Sequence, residues 1–388
     1  MIALQIVFWI CVTGVLTPYL IYPVLLFLFS RFGRGRNGKE STPSVTFVIS
    51  AYNEADVIAQ KIENTLAIEY PANLFQIVVI SDESDDGTDE IVKRFEDVEL
   101  FRQSPRRGKS AGINDSFNKF KGEFVVFSDA NAMYQPDTIK HLVKHFIDPQ
   151  VGYVVGRQLY YNDKTSASES ENTYWGFELK LKEWESRLSS VVGGDGAIMA
   201  IRRSLYSPLA ADDISDFVLP LRIVVAGYRG RFEPRAICYE EAAPSLGGEF
   251  RRKVRIVNRS LRAVFRVPHS LNPFKVGVFS FQLFCHKFIR WFAAYLMLGA
   301  LISSGVLTLS GELAYLYLFA AQAVLYLIAL LSVCPPLGRF RLTRLLYYFC
   351  LANLAGGVGV FKCLLGQKYS TWNPQRQLSE SNSIRPRS

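Results

Sequence analysis

Charge is missing from the first stretch of this 388-residue chain: residues 2–30 contain no Asp, Glu, Lys or Arg. A run of that length suffices to cross a hydrocarbon core of about 30 Å, which takes roughly 20 helical residues. It also lacks the basic start and small-residue cleavage site of a signal peptide. We therefore expect a retained transmembrane helix, kinked at Pro18 and Pro23 because proline removes a helix hydrogen bond. Cysteine is sparse. The six residues Cys11, Cys238, Cys285, Cys334, Cys350 and Cys363 form no C-x-x-C pair, and four lie in or beside hydrophobic segments, which excludes a disulfide framework and points to structural roles. His141 and His145 have helical i, i+4 spacing without the glutamate of H-E-x-x-H, against a metal site. No G-x-G-x-x-G occurs, and the G-K-S at Gly108 to Ser110 has no upstream P-loop glycine. A dinucleotide dehydrogenase and a Walker ATPase are thereby disfavoured.

What is present is apolar surface in excess. At 49% hydrophobic residues, 13% aromatic and a mean hydropathy of +0.12, the chain is too apolar for a soluble enzyme and too polar to be all membrane. Three further uncharged runs follow late in the sequence: Trp291 to Gly311, Leu313 to Gly338, and Leu345 to Phe361. The first two have spanning length. The third is short and holds Gly356, Gly357 and Gly359, so spanning and re-entrant readings both stay open. Arg31, Arg34, Arg36 and Lys39 follow the first helix, which places the next domain in the cytoplasm by the positive-inside tendency. Arg339, Arg341 and Arg344 agree with that side, and Ser310 with Glu312 would be external. Lys362, Lys368 and Arg376 pull the far end of the last run inward as well.

Between these runs, residues 43 to 275 alternate between strand-like and helix-like sequence. VTFVIS (Val45 to Ser50), QIVVIS (Gln76 to Ser81) and FVVFS (Phe124 to Ser128) are buried-strand runs, and Glu54 to Leu66 and Thr88 to Phe95 are helical. Such alternation predicts an α/β domain with a mostly parallel central sheet, its site built by loops at the carboxyl ends of strands. Those loops collect the polar residues. Ala51-Tyr52-Asn53-Glu54 follows the first strand, with Tyr52 offering a ring to stack a base. Ser81-Asp82-Glu83-Ser84-Asp85-Asp86-Gly87-Thr88 follows the second, with Gly87 and Thr88 suited to a turn and helix N-cap. Arg106-Arg107-Gly108-Lys109 concentrates positive charge of the kind a nucleotide diphosphate requires. Asp129-Ala130-Asn131 ends the third run; two oxygen-bearing side chains two residues apart point the same way from an extended segment, an arrangement able to hold Mg²⁺ or Mn²⁺ with phosphates.

The order of these motifs resembles the family 2 inverting glycosyltransferases of GT-A fold, especially membrane-embedded bacterial sugar transferases and polysaccharide synthases, over roughly residues 43 to 265. The resemblance implies that Tyr52 and Asp82 contact a uracil, that Asn53 and Glu54 shape the nucleotide pocket, and that Lys109 lies near the diphosphate. It also implies that Asp129 and Asn131 stand at the D-x-D metal motif, with asparagine in place of the second aspartate. Gly193 to Ala197 looks like the acceptor-side loop. Ser215-Asp216-Phe217 looks like the segment of the catalytic base, with Asp216 the candidate and Asp213 the nearby alternative. Arg252 and Arg255 fall on the Q-x-x-R-W motif of processive synthases. Arg255 matches its arginine, while arginine replaces the glutamine and Ile256 the tryptophan.

Independently of that resemblance, Arg252, Arg255, Arg259, Arg262 and Arg266 make a stripe along one helical face, with Val254, Val257, Leu261 and Val264 opposite. Three readings stand: a solvated face, contact with anionic lipid headgroups, or contact with the donor diphosphate. The net charge of +9 fits a membrane surface without any nucleic acid. The aromatic run from Phe279 through Phe292 fits either interfacial anchoring or core packing.

The organisation expected is an N-terminal transmembrane helix (1–30), a basic linker (31–42), a cytoplasmic GT-A domain (43–250), amphipathic interfacial helices (251–290), a C-terminal transmembrane region (291–365) and a polar tail (366–388). The expected function is a metal-dependent inverting transferase of the inner membrane. It would move sugar from a nucleotide donor, expected to be a UDP-sugar, to a lipid-linked glycan or cell-surface polysaccharide. Alternatives are a processive synthase with polysaccharide export partners, a non-catalytic nucleotide-sugar-binding scaffold, and a transporter with a regulatory insert. The transporter is disfavoured because no charge sits in the middle of the longest spans.

Overall fold

The computed structural model describes residues 1–31, 42–161, 166–241, 246–332 and 340–371. Arg34, Arg36, Lys39, Cys334, Gly338, Arg339 and Arg376, with most of the expected linker and tail, lie outside the described residues. The three apolar runs become the strands β1 (Val45–Ala51), β2 (Phe75–Asp82) and β4 (Phe124–Asp129). With β3 (Val98–Gln103), β5 (Met133–Tyr134), β6 (Val151–Tyr161), β7 (Met199–Arg202) and β8 (Arg229–Glu241) they form one eight-stranded sheet. Its order is β3-β2-β1-β4-β7-β6-β8-β5. The first four strands run parallel; β7 then pairs antiparallel with both β4 and β6, and β8 runs parallel to β6.

The unbroken apolar runs follow from burial on both faces. Val48, Val78 and Phe127 join a core with Ile113, Phe217 and Leu221 on one side. Phe47, Ile49, Ile77 and Val79 join Ile58, Ile62, Ile139 and Leu142 on the other. Register then fixes the site. Ala51 is opposite Ser81 and Ser50 is opposite Asp129, so the loops carrying Tyr52, Asp82 and Asp129 leave the sheet along one edge.

Among the described residues, three helices are long and apolar enough to cross a membrane: Ile2–Ser30, Leu313–Leu331 and Leu342–Leu364. A fourth candidate is the pair Val278–Trp291 and Ala293–Thr308, bent by 63°. Proline does perturb the first span: Pro18 lies in a single π-helical turn, Thr17–Ile21, between Ile2–Leu16 and Tyr22–Ser30. The run left open between spanning and re-entrant is a continuous helix, Arg341–Leu364.

The arginine stripe lies on a helix, Leu246–Arg266, whose Val254, Val257, Leu261 and Val264 are buried as expected. Its polar face is turned into the protein, which corrects the lipid-facing reading. Arg266 pairs with both Asp212 and Asp213, Arg259 donates to the carbonyls of the same two residues, and Arg252 pairs with Glu249 at 2.6 Å. Buried carboxylates and carbonyls of the catalytic-type domain attract these guanidiniums more strongly than a solvated surface. The aromatic run divides: Phe279 is fully buried, whereas Phe281 and Phe284 are exposed.

Candidate active site

The first two loops are laced together by their own polar groups. Asn53, in the left-handed region at φ +51° that asparagine tolerates, donates through Nδ2 to Asp85 Oδ1 at 2.7 Å, and its Oδ1 accepts from Asp85 N at 3.0 Å. Its backbone N–H donates to Ser84 Oγ at 3.1 Å, Glu54 N to Thr88 Oγ1 at 2.9 Å and Ala55 N to Asp86 Oδ2 at 2.9 Å. Asn53, Asp85 and Asp86 are thus struts that fix where Tyr52 and Asp82 project.

Asp82 in turn holds the basic loop. Its Oδ1 accepts from the backbone N–H groups of Arg107 and Gly108, both at 3.0 Å, and from the amide of Gln103; Gly108 N also reaches Oδ2 at 3.0 Å. Arg106 lies 3.5 Å from the same carboxylate and places its guanidinium 3.4 Å from the centroid of the Tyr52 ring, a cation–π contact on the ring expected to stack a base. Gly108, at φ +88°, has no room for a side chain: a Cβ there would lie 2.3 Å from the carbonyl oxygen of Ser370, where the chain returns after its last helix.

Deeper in the cleft, Lys109 donates through Nζ to Asp129 Oδ1 at 2.6 Å and to the carbonyl of Gly196 at 3.3 Å. Gly196 marks the point of convergence. A Cβ on it would meet Asp216 Oδ2 at 3.3 Å, Asp129 Oδ2 at 3.5 Å and Lys109 Nζ at 3.7 Å, so the missing side chain leaves a cradle between the three. The loop is held by Gly194 N donating to the carbonyl of Asp216 at 2.5 Å and by Lys182 Nζ donating to Asp195 Oδ2 at 3.2 Å.

Asp216 opens the helix Ser215–Val225. Burial pushes its carboxyl pKa up, against the pull of Lys109 and Arg259 and with Asp195 and Asp129 adding to the rise. Its Oδ1 is buried without a hydrogen-bond partner. Asp213 differs in every respect: its side chain is fully buried, and it accepts from Arg266, from Arg222 at 3.4 Å and from Ala210 N at 2.8 Å. Arg255 is lowered to about 10 by burial and by Arg259 and Arg252, with Asp129 and Asp216 opposing, so it faces the same cleft. Arg252 is drawn aside to Glu249 and Tyr160.

Among the described residues no group of three or more His, Cys, Asp or Glu could hold a metal unaided. A divalent ion would therefore need diphosphate oxygens besides Asp129 and Asn131. The residues fit such an ion: the donors are hard oxygens, and the cradle at Gly196 leaves space beside Asp129 Oδ2. Sequence reasoning named the loop of Asp195 without giving that residue a role of its own, and it missed Glu240. Glu240 is pushed up to about 8 by burial and by the Asp129 carboxylate; it arrives through the pairing of β5 with β8, which no local pattern reveals.

The sheet order is that of a GT-A fold. Residues 46–209 match the model of Glycosyl transferase family 2. Among curated proteins the chain is 22% identical over 236 residues to a poly-beta-1,6-N-acetyl-D-glucosamine synthase of Staphylococcus epidermidis, covering 58% of this chain and 57% of that protein. It is 24% identical over 220 residues to the synthase of the same name from Staphylococcus aureus (strain MSSA476), covering 54% and 53%. The chain thus spans little more than half the length of these relatives. Among solved structures, the mannosyltransferase PcManGT from Pyrobaculum calidifontis, in complex with GDP-Man and Mn²⁺, superposes with a TM-score of 0.71 at 22% identity, covering 94% of this chain and 100% of that one.

Proposed function

We propose that this chain is a membrane-bound, inverting glycosyltransferase that moves a sugar from a UDP-sugar to a hydroxyl of a lipid-linked glycan or cell-surface polysaccharide on the cytoplasmic face of the inner membrane. The observation that carries this reading is the convergence of Asp216, Asp129 and Lys109 on the cradle at Gly196. In this reading Asp216 acts as general base: its partnerless, buried Oδ1 and raised pKa suit a carboxylate that takes the proton of an attacking hydroxyl. Asp213, held by two arginines, is assigned to structure. Lys109, Arg255 and Arg259 supply positive charge beside the departing diphosphate. Asp129 and Asn131 would hold Mg²⁺ or Mn²⁺, which when bound neutralises charge on the diphosphate. A single displacement at the anomeric carbon gives a β product from an α-linked donor.

The relatives' names, poly-beta-1,6-N-acetyl-D-glucosamine synthases, favour a second reading, a polymer-forming synthase. The departures from Q-x-x-R-W weigh against it: Arg252 is engaged by Glu249, and Ile256 supplies no aromatic platform for an acceptor.

Calorimetric titration of the detergent-purified protein with UDP and GDP tests the nucleotide site. With Mn²⁺ present, UDP binds more tightly than GDP. Tyr52→Ala weakens UDP by roughly 5- to 150-fold, the loss of about 1–3 kcal/mol of base stacking. Binding of neither nucleotide, with or without Mn²⁺, contradicts the assignment.

A further inference from the structure

The helix Ser166–Leu188 carries Glu178, Lys182 and Glu185 at spacings of four and three, which puts all three on one face. All three are buried, and buried charge is tolerated only where it is paired or hydrogen-bonded. Their partners come from opposite directions. On the membrane side, Tyr22 of the first candidate span donates its hydroxyl to Glu185 Oε1 at 2.6 Å. The His286 ring, in the π-helical turn Phe284–Phe288, brings Nδ1 to the same oxygen at 2.6 Å and Nε2 to Glu178 Oε2 at 3.1 Å. Lys287 Nζ, also at 3.1 Å, and Arg290 complete the shell of Glu178.

On the cleft side, the other oxygen of Glu185, Oε2, accepts the backbone N–H of Val192 at 2.9 Å, and Lys182 donates to Asp195 Oδ2. One helix face thus grips the cradle loop both at its entry and at its middle. Between the two grips lie Gly193, at φ +78°, and Gly194, whose N–H meets the carbonyl of Asp216. Two glycines in succession have no side chains with which to fix their own path. The spacing of Gly196 and Asp216 therefore depends on where the helix holds the loop, and the helix is itself held by the membrane-side residues.

We infer that Glu185 is a positioning residue for the cradle loop, coupling the seating of the first and fourth candidate spans to the spacing of Gly196 and Asp216. A carboxylate only accepts hydrogen bonds, so one group takes Tyr22, His286 and Val192 at once, and removal of a membrane-side donor loosens its hold on the Val192 N–H. Misplacement of a reacting group by about 1 Å can cost on the order of 10²-fold in rate. In the proposed reaction this ties attack by the acceptor to correctly packed membrane helices. Donor binding at Tyr52 and Asp82, which leave the sheet from other strands, stays outside the device.

This inference rests on the transferase reading, and one experiment separates the two. Tyr22→Phe deletes a hydroxyl and keeps the ring in its packing; Glu185→Gln and the double variant complete a cycle, and Tyr22→Phe alone decides the loop result should Glu185→Gln fail to fold. Amide hydrogen exchange is followed by mass spectrometry in the full-length, detergent-purified protein, beside UDP affinity and UDP release from the UDP-sugar that wild type turns over. Tyr22→Phe is expected to speed exchange in residues 191–197 by about tenfold, the order of one hydrogen bond to a charged group, and to lower UDP release by a similar factor. UDP affinity and exchange in β1 and β2 stay unchanged. The double variant behaves like Glu185→Gln alone, because both substitutions act through one carboxylate. Unchanged exchange in residues 191–197 overturns the inference. So does faster exchange spread equally over β1 and β2, the mark of a group that serves stability alone, and so do effects of the two substitutions that simply add. Absence of UDP binding in wild type contradicts the transferase reading itself, and the exchange comparison still decides the coupling.

Discussion

Asp216→Asn abolishes glycosyl transfer and leaves the protein at least as stable as wild type at neutral pH. The rate loss follows from the role: a positioned general base contributes roughly 10²- to 10⁴-fold, and an amide cannot take the proton of the acceptor hydroxyl. The stability result follows from the sign of the pKa shift. Burial raises the Asp216 carboxyl in the folded state above the ordinary aspartate value, so folding favours the protonated form. Above that raised pKa the ionised group opposes folding, and the opposition fades as pH falls through it. A neutral asparagine of the same shape removes this penalty. Activity has the opposite dependence, since transfer needs the ionised base and falls as pH drops through the raised pKa. A pH–rate profile beside thermal unfolding of both proteins checks the two halves together, and an active Asp216→Asn variant removes Asp216 from catalysis.

Asp213→Ala, three residues away, gives the reverse pattern. Asp213 is wholly buried and receives Arg266, Arg222 and the N–H of Ala210. Deleting it leaves two guanidiniums without their shared counter-charge. Breaking a buried ion pair from one side costs about 3–5 kcal/mol, so the unfolding midpoint in denaturant falls sharply, while the fraction that remains folded keeps turnover of the wild-type order. Loss of turnover with an unchanged midpoint reverses the assignment of the two aspartates. Arg266 also pairs with Asp212 at 2.5 Å, which limits the damage at that end of the helix.

This contrast shows how far the sequence could be read. The strand runs at 45, 76 and 124 were legible because burial on both faces leaves only apolar residues, and the positions of Tyr52, Asp82 and Asp129 follow once those strands are parallel and in register. β3 was not named, because V-E-L-F-R-Q on the sheet edge is only partly buried and mixes polar with apolar residues. The helix beginning at Thr88 was expected to reach Phe95 and stops at Val92. The arginine stripe was legible as a helix with two faces, but which face meets what depends on Asp212 and Asp213, brought against it by folding. Glu240 was hidden for the same reason: the β5–β8 pairing that brings it toward the Asp129 loop joins segments more than a hundred residues apart.

The central claim is a single displacement with Asp216 as base, and the anomeric configuration of the product tests it most directly. Purified protein is given the UDP-α-sugar that supports release of UDP, with Mn²⁺ and membrane lipid as acceptor source, and the new linkage is read by the NMR coupling at its anomeric proton. A β linkage, formed by wild type and not by Asp216→Asn, is the predicted result. An α linkage from the same donor requires retention, which one attack with Asp216 as base cannot produce, and contradicts the account.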